Sequence, residues 1–206
     1  MGLSDLTVKE YVHKVAEGAA APAGGSVCAL ACALSAALSL MTARLTLGNK
    51  KYSAVWREME QLGQSMETLL SRSLELAEED ARAYGAVMEA LKMGPGDKQR
   101  ASRLEDAMKQ AALVPMETLR TLAKITDLMA EVIEKGNRNC LCDAAVSIHL
   151  IGAAAAGTVN NLRANLSKID DKNFTSRIQS EMTPMENNIE QALGRFKAFI
   201  GLLLSA

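Results

Sequence analysis

The stretch Ser26-Val27-Cys28-Ala29-Leu30-Ala31-Cys32-Ala33-Leu34-Ser35-Ala36-Ala37-Leu38-Ser39-Leu40-Met41 decides the fold class. It sits inside a longer segment, Gly18 through Ala43, without a single charged side chain. Its alanines and leucines are strong helix formers, and a helix with no polar stripe is expected to be buried all round. Ser26 reads as the cap of a helix that runs to about Leu47. The apolar run Val27 to Met41 is short for a membrane span and lacks bulky lipid-facing residues. It therefore reads as a core helix of a soluble bundle. Its small residues, such as Ala29, Ala33, Ser35 and Ala36, let neighbouring helices approach closely.

Outward from this helix, the pattern stays helical. Thr7-Val8-Lys9-Glu10 is a capping box, and Val8, Tyr11, Val12, Val15 and Ala16 then recur at helical spacing. Gly18 to Gly25 is a loop. Gly48-Asn49-Lys50-Lys51 ends the apolar helix, and a long amphipathic helix follows over about 53–93. Met93-Gly94-Pro95-Gly96-Asp97 is a turn. A fourth helix spans about 98–135 with a kink at Pro115, and Gly136 stops it. A second low-charge helix covers about 139–167. The last helix covers about 170–204, with a kink or break at Pro184. No β-alternation stands out. The expectation is an all-α, up-and-down bundle of long helices, one domain over 1–206, with two buried low-charge inner helices. Inner helices this free of charge predict self-association, as a homodimer.

Composition narrows the function. Of 206 residues, 49% are hydrophobic but only 3% aromatic, so Ala, Leu and Met build the core. A net charge of −1 supplies no basic excess for nucleic acid. Cys28, Cys32, Cys140 and Cys142 lie in apolar helical stretches, and no histidine spacing completes a zinc site. With no signal peptide, reduced thiols in a cytoplasm are expected. No P-loop, dinucleotide fingerprint or hydrolase triad is present.

Five constellations carry chemical potential. Asp143 is the only charged side chain between Arg138 and Arg163. A carboxylate in an apolar helix can have a raised pKa, suited to proton transfer; equally, Asp143 in a first turn complements the helix dipole. The turn Asn137-Arg138-Asn139 leads into it. Pro22-Ala23-Gly24-Gly25-Ser26 is a glycine turn opening into a helix N-terminus, where free N–H groups can meet a polar ligand edge. Lys50 and Lys51 can hold a carboxylated ligand or simply be solvated. Asn161 and Asn165 share a helix face near Arg163, and buried amides require partners. Glu78-Glu79-Asp80 with Tyr84 reads as an acidic helix surface. His149 and His13 read as core or interface residues.

Together these stretches resemble the cyclodeaminase/cyclohydrolase family of folate enzymes over essentially the whole chain. The resemblance rests on Pro22 to Val27, Leu45 to Tyr52, Glu79-Asp80-Ala81, Val114-Pro115, Glu134 to Asn139, Asp143-Ala144, and Asn161 to Leu166. It implies an all-helical dimer acting on a one-carbon unit borne by tetrahydrofolate, with no metal or redox cofactor. Two reactions are implied: hydrolysis of 5,10-methenyl- to 10-formyl-tetrahydrofolate, or closure of 5-formimino- to 5,10-methenyl-tetrahydrofolate with loss of ammonia. By this resemblance Asp143 is the expected general acid/base. Gly24, Gly25 and Ser26 receive the folate, Lys50 and Lys51 attract its glutamate tail, and Arg163, Asn165, Asn137 and Asn139 help orient it. Ala23, Cys142 and Ala145 depart from the family's glycine, serine and glycine. A free-standing chain without a transferase domain tilts the expectation towards cyclohydrolase over cyclodeaminase. A bundle that binds folate or a partner without turnover is the non-enzyme alternative.

Overall fold

The computed structural model describes residues 2–94 and 96–204. Six helices build it: α1 (Val8–Ala16), α2 (Gly24–Leu47), α3 (Trp56–Lys92), α4 (Arg100–Lys135), α5 (Leu141–Leu166) and α6 (Lys172–Leu204). Short 3₁₀ turns precede α1, α3 and α5, and no strand occurs among the described residues. The expected all-α bundle is thus the observed fold. Pro95, in the turn expected at 93–97, lies outside the described residues.

The helices form two layers. α3, α4 and α6 make a rear layer with α4 in the middle, and α2 and α5 lie side by side in front of it. Between the layers sits a core of Leu, Ile, Met and Ala, with Met116, Leu119, Leu122, Ile125, Ile151 and Leu162 fully buried. α2 and α5 run antiparallel. Cys28 lies beside Gly157, the Ser35 and Ser147 hydroxyls meet at 2.7 Å, and the Asn137 N–H donates to Thr46 Oγ1 at 2.9 Å. Serine and alanine at these positions are what allow the close contact.

Several local expectations shift. The capping box of α1 forms as expected, with the Glu10 carboxylate accepting from the Thr7 N–H at 2.8 Å and Thr7 Oγ1 accepting from the Glu10 N–H. Of its apolar positions only Tyr11 is buried, while Val8 and Val12 stand exposed. Ser26 is not the cap of α2. The helix begins at Gly24 with Ala23 as N-cap, which turns the Ser26 side chain inward towards α3. α3 starts at Trp56 rather than 53, because Tyr52 interrupts the preceding 3₁₀ turn with non-helical angles. α4 and α6 continue through Pro115 and Pro184 without a break.

The expectation that both low-charge helices are buried all round is corrected. Val27, Leu34 and Leu45 on α2 and Val146 on α5 are exposed, because a front layer has no neighbour on its outer side. The length argument against a membrane span is also corrected: α2 and α5 are both long and apolar enough to cross one. Their inner faces nonetheless carry Ser26, Ser35, Ser39, Thr42, Thr46, Ser147 and Thr158 buried against neighbouring helices, as core helices do.

Candidate active site

At one end of the bundle, the start of α2, the middle of α3 and α4, and the end of α5 enclose a cavity of about 360 Å³. Gly24, Gly25 and Cys28 form one wall, Asp80 and Tyr84 a second, and Asn161 and Asn165 a third, with Lys168 at the edge. Met108, Val87 and Ala111 give it an apolar side.

Among the described residues, Asp80 is the only carboxylate lining the cavity. Its neighbours in sequence are engaged elsewhere: Glu78 accepts from the Ser4 N–H at 2.8 Å, and Glu79 pairs with Arg72 at 2.6 Å. Asp80 lies on the inward stripe of α3, in phase with buried Ser73, Ala77 and Val87. Its Oδ2 accepts from Ser26 Oγ at 2.9 Å. Burial raises its pKa above the ordinary aspartate value, against the opposing effect of the Ser26 hydrogen bonds. No cation neutralises it among the described residues.

Gly25 makes this arrangement possible. A Cβ at that position would press on Asp80 Oδ1 and approach Asn161 Nδ2 to 2.7 Å, so both polar groups lean into the space over the glycine. Asn161 makes no hydrogen bond among the described residues, whereas Asn165 Nδ2 is committed to the Ala111 carbonyl at 2.8 Å. A carboxyl whose pKa is raised by burial, a free amide beside it and bare backbone opposite can move a proton at a bound ligand and orient the acceptor.

The residues expected from sequence separate into two groups. Gly24, Gly25 and Asn165 line the cavity, and Ser26 supports it through Asp80. Arg163 faces outward and pairs with Glu186 at 2.7 Å. Lys50, Lys51, Asn137, Asn139 and Asp143 gather at the opposite end of the bundle. There the Arg138 N–H donates to the Tyr52 hydroxyl at 3.1 Å, and Asn137 and Asn49 each cap their own turns. Asp143 is half-buried in the first turn of α5. It is 18 residues from Asn161, or about 27 Å at the helical rise. Asp80 and Tyr84, read from sequence as an acidic helix surface, and Asn161, read as an amide needing a partner, were given no site role there, and Lys168 was not singled out. For Asp80 the signal was its phase with Ser73, Ala77 and Val87; Lys168 left none.

The profile of the formiminotransferase-cyclodeaminase family matches residues 7–184, and the chain belongs to that family. The mouse formimidoyltransferase-cyclodeaminase is 28% identical over 204 residues, 95% of this chain, although the chain spans only 38% of that protein's length. Methenyltetrahydrofolate cyclohydrolase of Methylorubrum extorquens is 30% identical, with 85% of this chain and 86% of the relative covered. Among solved structures, the crystal structure of formiminotetrahydrofolate cyclodeaminase from Thermotoga maritima superimposes with a TM-score of 0.90 at 30% identity, covering 98% of this chain and 99% of that one. The relatives are folate-processing enzymes of both kinds.

Proposed function

We propose that this chain is a folate one-carbon enzyme that hydrolyses 5,10-methenyl- to 10-formyl-tetrahydrofolate, with Asp80 as the proton-transfer group. The observation that carries the reading is the half-buried Asp80 carboxyl over Gly25, facing an uncommitted amide. Water adds to the carbon between the two folate nitrogens, and Asp80 takes its proton. The bond from that carbon to N5 then breaks as the hydroxyl gives its proton to solvent and becomes the formyl C=O, and Asp80 returns the first proton to N5. A carboxyl with a raised pKa suits both halves of this exchange. Asn161 orients the water or the folate, and Lys168 attracts an anionic part of the ligand.

The Thermotoga likeness favours a second reading, formimino-folate cyclodeaminase. There N10 adds to the formimino carbon, its proton passes to the imino nitrogen, and ammonia leaves with a further proton that the same carboxyl supplies. Both readings use a tetrahydrofolate derivative as substrate, need no metal or redox cofactor, and accord with a homodimer in the cytoplasm. They place the proton transfer at Asp80 and leave Asp143 complementing the dipole of α5.

The near-ultraviolet band of the methenyl form separates them. With the purified protein, loss of the band above the spontaneous rate marks the hydrolase; growth of the band from formimino-folate, with ammonia released, marks the deaminase. Asp80→Asn is expected to lower turnover by ~10²-fold or more. Because the charged form of Asp80 is disfavoured in the fold, the same change is expected to keep or raise the melting temperature at pH 7. That gain should fade as pH falls through the Asp80 pKa, where the wild-type group is already neutral. Full turnover by Asp80→Asn would remove the proposed role.

A further inference from the structure

We infer that the Tyr11 hydroxyl is the positioning group of the Asp80 carboxyl, reaching it across one ordered water and favouring its ionised form. The inference deepens the proposed function, and its link to turnover rests on that reading. α1 docks on the bundle through this residue. Tyr11 is the buried side chain of the helix, 9% exposed, while Val8 and Val12 stand in solvent. It shares an apolar groove with Leu6, Leu30, Leu74 and Ala77. Ala77 lies one turn before Asp80 on the inward stripe of α3. A groove of this kind accepts a phenyl ring and does not require the hydroxyl.

The Tyr11 oxygen is buried and has no hydrogen-bond partner among the described residues. Buried tyrosine hydroxyls ordinarily find a partner, because an unpaired one costs free energy. Three polar groups lie close to this one. Burial is the first cause that raises the phenol's pKa; the nearby Asp80 raises it further, and Glu78 and Cys28 add less. Glu78 is already committed to the Ser4 N–H and hydroxyl, and Cys28 Sγ sits against Thr158 and Gly157. Asp80 is the group with capacity left. Ser26 is its hydrogen-bond donor among the described residues, and a carboxylate has about four acceptor positions. Polar groups this near, without a direct bond, are joined by a water that has two to four polar partners. Phenol, carboxyl and thiol supply three.

The sign of the effect follows. The chain from phenol to water ends in an O–H donated to the carboxylate, which favours the charged form. Burial works the other way on Asp80, so Tyr11 and Ser26 together limit how far its pKa rises. The other titratable groups facing Asp80 are Cys28 on α2, Tyr84 on α3 and Lys168 after α5, while α4 presents Met108 and Ala111. Removing the phenol oxygen leaves all of these in place.

Tyr11→Phe deletes that oxygen and keeps the ring that anchors α1. The Asp80 carboxyl is followed by carbon-13 NMR without folate, its signal assigned by its loss in Asp80→Asn. In Tyr11→Phe its pKa is expected to rise by about one pH unit, as for one lost hydrogen bond to a charged group. Loosened packing would do the opposite, since water reaching the carboxyl lowers its pKa. An unchanged or lowered pKa overturns the inference. Thr158→Val removes the other buried hydroxyl without a partner, beside Cys28, and should leave the Asp80 titration where it was. An equal rise in that variant would show that the phenol has no particular claim on Asp80.

Turnover supplies the second readout. In Tyr11→Phe the acid limb of kcat/KM for 5,10-methenyl-tetrahydrofolate should move up by the same amount. Below the limb kcat/KM then falls about tenfold, with the plateau above it kept within about twofold. A uniform loss at every pH would mean that Tyr11 only anchors α1, and the positioning role would fall. Should the wild-type protein turn over neither folate, the proposed function fails, and the NMR titration still decides whether Tyr11 acts on Asp80.

Discussion

A methyl group added at Gly25 would press on Asp80 and Asn161, whereas one added at Gly24 would meet open space. Two adjacent glycines in one helical turn thus have different reasons for being there. Gly25→Ala is expected to displace the Asp80 carboxyl and lower kcat/KM at least tenfold, about the effect of one misplaced catalytic group. Gly24→Ala should leave kcat/KM within about twofold, since it adds helix propensity and no clash. Steady-state assays of the two variants, with circular dichroism to confirm folding, check the contrast. Equal losses in both would mean that the Gly25 contact is not what the turn protects. The turn itself was legible in sequence, and so was its opening into a helix. The role of Ser26 was not, because a serine at a helix start is ordinarily a cap, and only the third helix crossing behind it reveals the carboxyl it serves. Asp80 was hidden by its neighbours. Glu78 and Glu79 give the run an acidic surface look, yet one residue further along the helix turns about 100° and faces the core.

Gly157 shows how the pairing of α2 with α5 is set at the scale of elements. A Cβ there would come within 2.5 Å of Cys28 Sγ, and the sulfur lies on the cavity wall. Gly157→Ala should therefore force α2 and α5 apart at the mouth of the site, at a cost of ~1–3 kcal/mol. Cys28→Ala removes the sulfur that the new methyl meets, so the double variant should recover most of that loss. A denaturant series on the two single variants and the double tests this coupling; purely additive effects would place the strain elsewhere. Helix identities were legible here because charge is nearly absent from both segments, with Arg44 on α2 and Asp143 and Arg163 on α5, and periodic in the other long helices. What was not legible is that the low-charge helices share one layer. Absence of charge says that a helix has apolar surroundings, not whether its own chain supplies them on every side. The exposed Leu34, Leu45 and Val146 are the consequence.

At the scale of the whole molecule, the rear layer is tied together by ion pairs while, among the described residues, the front layer has none across its outer face. Arg120 on α4 reaches Glu181 on α6 through two hydrogen bonds, at 2.6 and 2.8 Å, and also pairs with Glu117. The Arg120 guanidinium holds the Glu181 carboxyl below the usual glutamate range, against a smaller opposing effect of burial. A carboxyl whose pKa is depressed on folding contributes stability above its unfolded pKa and loses it as pH falls through its folded one. Both groups are more than a third open to solvent or close to it, so the contribution is modest, about 0.5–1 kcal/mol. Glu181→Gln should accordingly lower stability at pH 7 by that amount. The difference should persist down to about pH 4.3, the unfolded glutamate value, and shrink below it as the wild-type carboxyl takes up its proton. Urea titrations at pH 7, 5 and 3 measure the gap directly. A gap that stays constant down to pH 3 would mean that Glu181 supports α6 by packing of its stem alone. No sequence pattern pairs residues 120 and 181, which lie on different helices 61 positions apart. The chain's periodicity announces each helix, but which charges meet across helices depends on the layer order that only the folded molecule sets.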